Sequence, residues 1–189
     1  MAAALFVQAY AFQLAGVAVG AWALGLPSPT LDPALSLVRV GRERPDDLAV
    51  TSAAVTRHDA RSLAAVLVDG HLEPLMANLR AVVRVGERAL WGNVAASVAA
   101  VVRSVDRPGP GGDEAVRRRG VELLAAHHRL AGCGTWVGPP GWRWDRRSCC
   151  LWFRTAEAAG GRCADCTLGR SHRPSPDSDR FVPQPGNDR

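Results

Sequence analysis

The residue types best suited to chemistry lie in one stretch, Arg146 to Leu168, which reads RRSCCLWFRTAEAAGGRCADCTL. It holds cysteines 149, 150, 163 and 166; the fifth, Cys133, lies just upstream, and none occurs in the first 132 residues. An odd number of cysteines gathered within 34 residues does not fit a secreted disulfide scaffold, which has an even count spread over the fold. Thiol chemistry or metal ligation fits better. Cys163-Ala164-Asp165-Cys166 is a pair whose tight turn lets both sulfurs reach one metal. Four thiolates in all meet the needs of a tetrahedral ion or of a diiron cluster. The pair Cys149-Cys150 is less usual. Adjacent side chains point apart on a strand and about a hundred degrees apart on a helix, so two neighbouring thiolates serve one metal only through a special turn. Zinc sites ordinarily use two knuckles of spaced cysteines, which makes zinc the weaker reading.

The order Cys-Cys, a spacer, then Cys-x-x-Cys, set in Arg147-Ser148-Cys149-Cys150-Leu151 with an aromatic residue and an arginine following, resembles the FhuF-type ferric siderophore reductases. The segments His71-Leu72-Glu73-Pro74-Leu75 and Leu90-Trp91-Gly92-Asn93 and the strand-like region Val38 to Val50 are also similar to that family. The spacer here, Leu151 to Arg162, is twelve residues, somewhat longer than the family's familiar pattern. The resemblance implies a [2Fe–2S] cluster on Cys149, Cys150, Cys163 and Cys166, with Cys133 a spare thiol. It also implies a cytoplasmic oxidoreductase that reduces a ferric siderophore, of hydroxamate type, by one electron to release Fe(II) for iron assimilation. No catalytic acid or base is needed. The Gly-x-Gly runs at 109–112 and 132–134 follow no clear strand and open no helix, so no dinucleotide fingerprint is present. An external donor such as a ferredoxin or a flavin reductase is therefore expected. Two alternatives use the same four cysteines: a zinc-binding structural or interaction module, and a [2Fe–2S] electron carrier or redox sensor without siderophore turnover.

Other side chains crowd this segment. Arg143, Arg146, Arg147, Arg154 and Arg162 would favour the reduced form of an anionic cluster and could dock an acidic donor or an anionic chelate, or they are solvated surface arginines. Trp136, Trp142, Trp144, Trp152 and Phe153 read chiefly as core, with Trp152 the expected shield of the cluster. His127 is expected to be a core or interface residue rather than a Rieske-type ligand. For His71 and Glu73, ahead of Pro74, helix capping is at least as good a reading as catalysis.

These residues need a scaffold, and 189 residues with 47% hydrophobic and 22% charged content suffice for one ordinary core. The net charge of +5 comes from 23 arginines with no lysine, a compositional bias that gives little support to a nucleic-acid partner. Ala2 to Leu26 carries no charge and reads as a buried, Ala-rich core helix rather than a membrane span or signal peptide. Weak alternation at 34–41 and 47–52 around Arg44-Pro45-Asp46 predicts short strands. Helical periodicity returns from Asp59, a plausible cap, to about Val83, with Pro74 kinking or restarting the helix and Leu67, Leu72, Leu75 and Leu79 buried. Gly86 to Val105 predicts the clearest helix, apolar on one stripe with Arg88, Ser97 and Arg103 opposite. A loop at 108–112 precedes a helix capped by Asp113, running to about Ala131 and closed by Gly132, with Val116, Leu123, Leu124 and His127 inward. The expected architecture is mainly α, a helical core with a few short strands and a C-terminal cysteine-rich iron–sulfur loop region, with α+β as the alternative. The expected organisation is a helical domain over 1–132 with a strand insert near 34–52, a cluster-binding segment over 133–169, and a disordered tail over 170–189.

Overall fold

The computed structural model describes residues 2–41, 45–51, 53–106, 113–138, 142–155, 158, 161–163 and 165–167. The expected tail at 170–189, the loop at 108–112 and residues 156, 157, 159 and 160 of the spacer lie outside the described residues. Helix α1, Ala2–Ala23, and helix α4, Glu87–Val105, lie along each other as the centre of the core. Between them in the chain come α2, Ala60–Ala65, and α3, Glu73–Val82; after them comes α5, Glu114–Ala125. The strands are short and form two-stranded antiparallel pairs: β1, Ser28–Pro29, with β4, Val55–Thr56; β2, Ser36–Val40, with β3, Pro45–Val50; and β5, Gly134–Val137, with β6, Arg143–Arg146. The fold is mainly helical, as the periodicities predict.

Helix α1 is apolar and long enough to cross a membrane by length and composition. In the fold, Val7, Ala11, Leu14, Ala15, Ala18 and Val19 are buried in the common core. Its partner α4 is buried on nearly every side between Leu90 and Val102; Arg88 and Arg103 are exposed as expected, whereas Ser97, expected beside them, is buried. Asn93 Nδ2 donates to the carbonyl of Ala4 at 2.9 Å, and Ser97 Oγ to that of Gln8 at 2.9 Å. Two polar side chains four residues apart thus bond two carbonyls four residues apart on the facing helix. Each buried bond contributes about 0.5–1.5 kcal/mol net and fixes the register of the two helices.

The segment from α2 to α3 is one continuous helical run with a π-helical stretch, Val66–Leu72, in the middle. Pro74 explains the stretch. It has no N–H, and its ring would meet the carbonyl of the residue four back. Glu73 N–H reaches instead to Val68 O, five residues back, so the helix widens and absorbs the proline. Leu67 and Leu72 are buried, while Leu75 and Leu79 are partly so. Asp59 caps α2 through Ser62 N, and Asp113 caps α5 through Ala115 N and Val116 N. Helix α5 stops at Ala125, short of Ala131, and the turns beyond it end at Gly132, whose φ of +80° closes the segment as expected.

Candidate metal centre

The cysteine segment enters from β6 and lies on α4, where several contacts anchor it. Arg146 is buried, and its guanidinium donates to Asn93 Oδ1; the same Asn93 side chain therefore ties α1, α4 and the cysteine segment together. Ser148 lies against Gly92, where an added Cβ would be 1.8 Å from Ser148 Oγ and 3.2 Å from its Cβ. Only glycine permits so close an approach. Arg103 of α4 pairs with Asp165, between the last two cysteines, at 3.9 Å.

Beyond these anchors the backbone makes the turn that adjacent cysteines require. Leu151 has φ +67° and ψ +4°, a left-handed conformation, and is the one non-glycine residue with positive φ among the described residues. For a bulky residue this costs about 1–2 kcal/mol, and such strain gathers at ligand clamps. The turn brings two successive N–H groups onto sulfur: Leu151 N donates to Cys149 Sγ and Trp152 N to Cys150 Sγ, each at 3.4 Å. The Cys-x-x-Cys turn is closed by Cys166 N donating to Cys163 O at 3.0 Å.

Cys150 Sγ and Cys163 Sγ stand 3.2 Å apart, so thirteen residues of chain fold back to bring two thiols into contact. The hydrogen bond from Cys163 and the Trp152 N–H hold Cys150 low, at about 6, against the opposing effect of burial, with the Arg146 cation assisting. Cys163 is pushed strongly upward by that same hydrogen bond, by burial and by the negative charge on Cys150 and Cys166. One proton is thus shared between two sulfurs. The second thiol gives up its proton readily only to a cation that takes the proton's place, which is the donor chemistry a metal–thiolate centre needs. Cys150 and Cys166 are buried; Cys149 and Cys163 are half-buried. Among the described residues no group of three or more ligand-type side chains closes to metal-binding distance. The structure therefore brings together Cys150 and Cys163, with Cys149 and Cys166 beside them in the same turns.

The five neighbouring arginines separate in the fold. Arg146 is buried and acts on Cys150 and Cys163. Arg143 pairs with Asp145 at 3.2 Å, and Arg147, Arg154 and Arg162 are exposed. The tryptophans also separate. Trp136 stacks on Trp142 at 3.7 Å and meets Trp144 edge-on at 5.2 Å, and this cluster covers Gly120 of α5, as core packing predicts. Trp152 is half-buried and touches the site through its backbone N–H.

His71 and Glu73 do not cap α3, whose N-terminus has no side-chain cap. They are cross-ties: Tyr10 Oη lies 3.0 Å from His71 Nδ1, and Glu73 accepts from Arg129. His127 bonds Asp69 at 3.2 Å. Sequence reading missed Asn93 as the junction and Ser148 as the residue seated on Gly92. A glycine inside the apolar stripe of α4 was the available signal, since such a residue marks close approach of another backbone.

Residues 146–168 match the family model of the FhuF 2Fe-2S C-terminal domain. The match begins at the buried Arg146 and spans all four cysteines of the segment. No curated protein and no solved structure matches the chain.

Proposed function

We propose that this chain is a ferric siderophore reductase that holds a [2Fe–2S] cluster on Cys149, Cys150, Cys163 and Cys166 and acts in iron assimilation. The observation that carries the reading is the contact between Cys150 and Cys163 within a segment matching a 2Fe–2S domain. When bound, such a cluster supplies one electron at a time at a potential set by its net charge and hydrogen bonds. The chain's own residues do the rest. The N–H groups of Leu151 and Trp152 and the buried Arg146 stabilise negative charge on sulfur, which favours the reduced form. Buried Cys150 and Cys166 keep water from one side of the centre. Cys149 and Cys163 are half-buried and are the two of the four that a partner could approach. Siderophores bind Fe(III) through hard anionic oxygens, and a one-electron reduction weakens that binding enough for Fe(II) to leave. The electron comes from a separate donor of the ferredoxin or flavin-reductase class.

The test is anaerobic purification with iron, zinc and acid-labile sulfide analysis, followed by dithionite reduction and addition of a ferric siderophore with a ferrous-specific trap. Iron and sulfide in equal amounts, their loss in Cys150→Ser and Cys163→Ser, and their retention in Cys133→Ser are expected, together with trapped Fe(II). Zinc without sulfide, even after reconstitution, would overturn the cluster. A cluster that bleaches with dithionite yet releases no Fe(II) would leave an electron carrier instead of a reductase.

A further inference from the structure

Beside the cysteine segment an open cleft of about 490 Å³ runs between the start of α4 and the turns after α5, within the range of small-molecule sites. Its wall includes Ser148, next to Cys149 in the chain, and the half-buried thiol of Cys133. Three arginines line it, and their charges are not equally engaged. Arg129 is held by Glu73 and by Glu87 at 2.7 Å and stacks over Trp91 at 5.5 Å, so it serves as scaffold and the one acidic residue of the lining is spoken for. Arg88 and Arg147 are exposed, and neither pairs with a carboxylate among the described residues. Arg88 instead donates to the backbone carbonyl of Arg147 at 3.2 Å, which joins the two sides of the cleft and aims two cations at the same space.

We propose that this cleft binds the ferric chelate and selects chelates carrying net negative charge, of the tris-catecholate class, with Arg88 and Arg147 as the charge-reading residues. The identity of the metal in the ligand rests on the reductase reading; the selection for charge rests on the cleft alone. Ser148 of the lining directly precedes Cys149 in the chain, so the cleft adjoins the cysteine segment. Two unneutralised guanidiniums disfavour a cationic ligand and gain nothing from an uncharged one. This charge selection departs from the hydroxamate class that the sequence resemblance implies, because an uncharged trihydroxamate chelate offers the two guanidiniums no charge to pair with.

Gallium(III) is redox-inert, so binding can be measured apart from reduction. Equilibrium dialysis of the cluster-loaded protein against gallium tris-catecholate and against an uncharged gallium trihydroxamate is expected to show at least about tenfold tighter binding of the anion, a difference that shrinks with added salt. Arg88→Gln and Arg147→Gln should each weaken the anion by about tenfold, as expected for loss of a charge-assisted contact, and leave the trihydroxamate and the cluster's visible spectrum unchanged. Equal binding of the two chelates, or unchanged anion binding in both variants, would overturn the proposal. Retained selective binding without Fe(II) release from the iron chelate would sink the reductase reading and leave the cleft assignment standing.

Discussion

Gly92→Ala tests the seat of the cysteine segment through a sign reversal. In the interior of α4, replacing glycine by alanine should stabilise the helix by about 1 kcal/mol. Here the new Cβ would stand 1.8 Å from Ser148 Oγ and 3.2 Å from Ser148 Cβ. Rotating the hydroxyl relieves the first contact, but the second involves an atom fixed to the backbone and leaves the segment to shift by a few tenths of an ångström. Overpacking of this kind costs about 1–3 kcal/mol, so the net change is a loss of up to about 2 kcal/mol. In a chain of this length that lowers Tm by about 2–4 °C per kcal/mol. Because Ser148 directly precedes Cys149, the shift passes to the ligand turn, and iron and sulfide content should fall with Tm. Removing the obstacle reverses the sign: in a Ser148→Gly background, Gly92→Ala should raise Tm by the helical gain alone and leave cluster content at the Ser148→Gly level. The assay is thermal unfolding and acid-labile sulfide across the four-member cycle. If Gly92→Ala acts with the same sign in both backgrounds, the helix and the cysteine segment are not in contact there and the packing argument fails.

Two further outcomes follow from named groups. Arg146→Gln removes a buried cation that acts on Cys150 and Cys163 while keeping a donor for Asn93; the cluster's potential should move negative by on the order of tens of millivolts, where 59 mV is a tenfold change for one electron. Voltammetry would show it, and an unchanged or more positive potential would remove Arg146 from the electrostatics of the centre. Burial holds His71 below its free value of about 6.5, so as pH falls the unfolded chain takes up the proton first. The stability from the neutral ring is complete above about pH 6.5 and is lost as pH drops through the lower folded value; denaturant unfolding at a series of pH values should show a shallower acid slope in His71→Asn, and parallel slopes would refute it.

Much of this molecule can be read along the chain because the controlling physics is local. Asp59 and Asp113 announce helix starts by offering a carboxylate to nearby N–H groups, and Gly132 ends a segment through a φ that glycine alone adopts freely. The strand pair 36–40 with 45–50 lies where weak alternation places two strands, although Pro45 and Asp46, expected in the turn between them, open the second strand. The four cysteines and their spacing point to a metal–thiolate centre before any fold is considered, and the matching family model covers the same stretch. Ser97, by contrast, was expected opposite the apolar stripe of α4 but is buried, because its partner is a carbonyl 89 residues away on α1. Glu73, read as a helix-start residue, answers instead to Arg129 across the fold.

Residue types and short spacings therefore pointed to metal–thiolate chemistry and determined the helix starts set by caps and the mainly helical class. Tertiary structure alone decided which of five arginines is the buried one, that Asn93 joins α1, α4 and the cysteine segment, and that Cys150 meets Cys163 while Leu151 takes a strained turn. It also decided that Arg88 and Arg147 face one cleft. The physical reason is separation along the chain: caps and turns act over a few residues and leave a mark in the sequence, whereas burial of a charge or meeting of two thiols depends on groups brought together by the packing of whole helices.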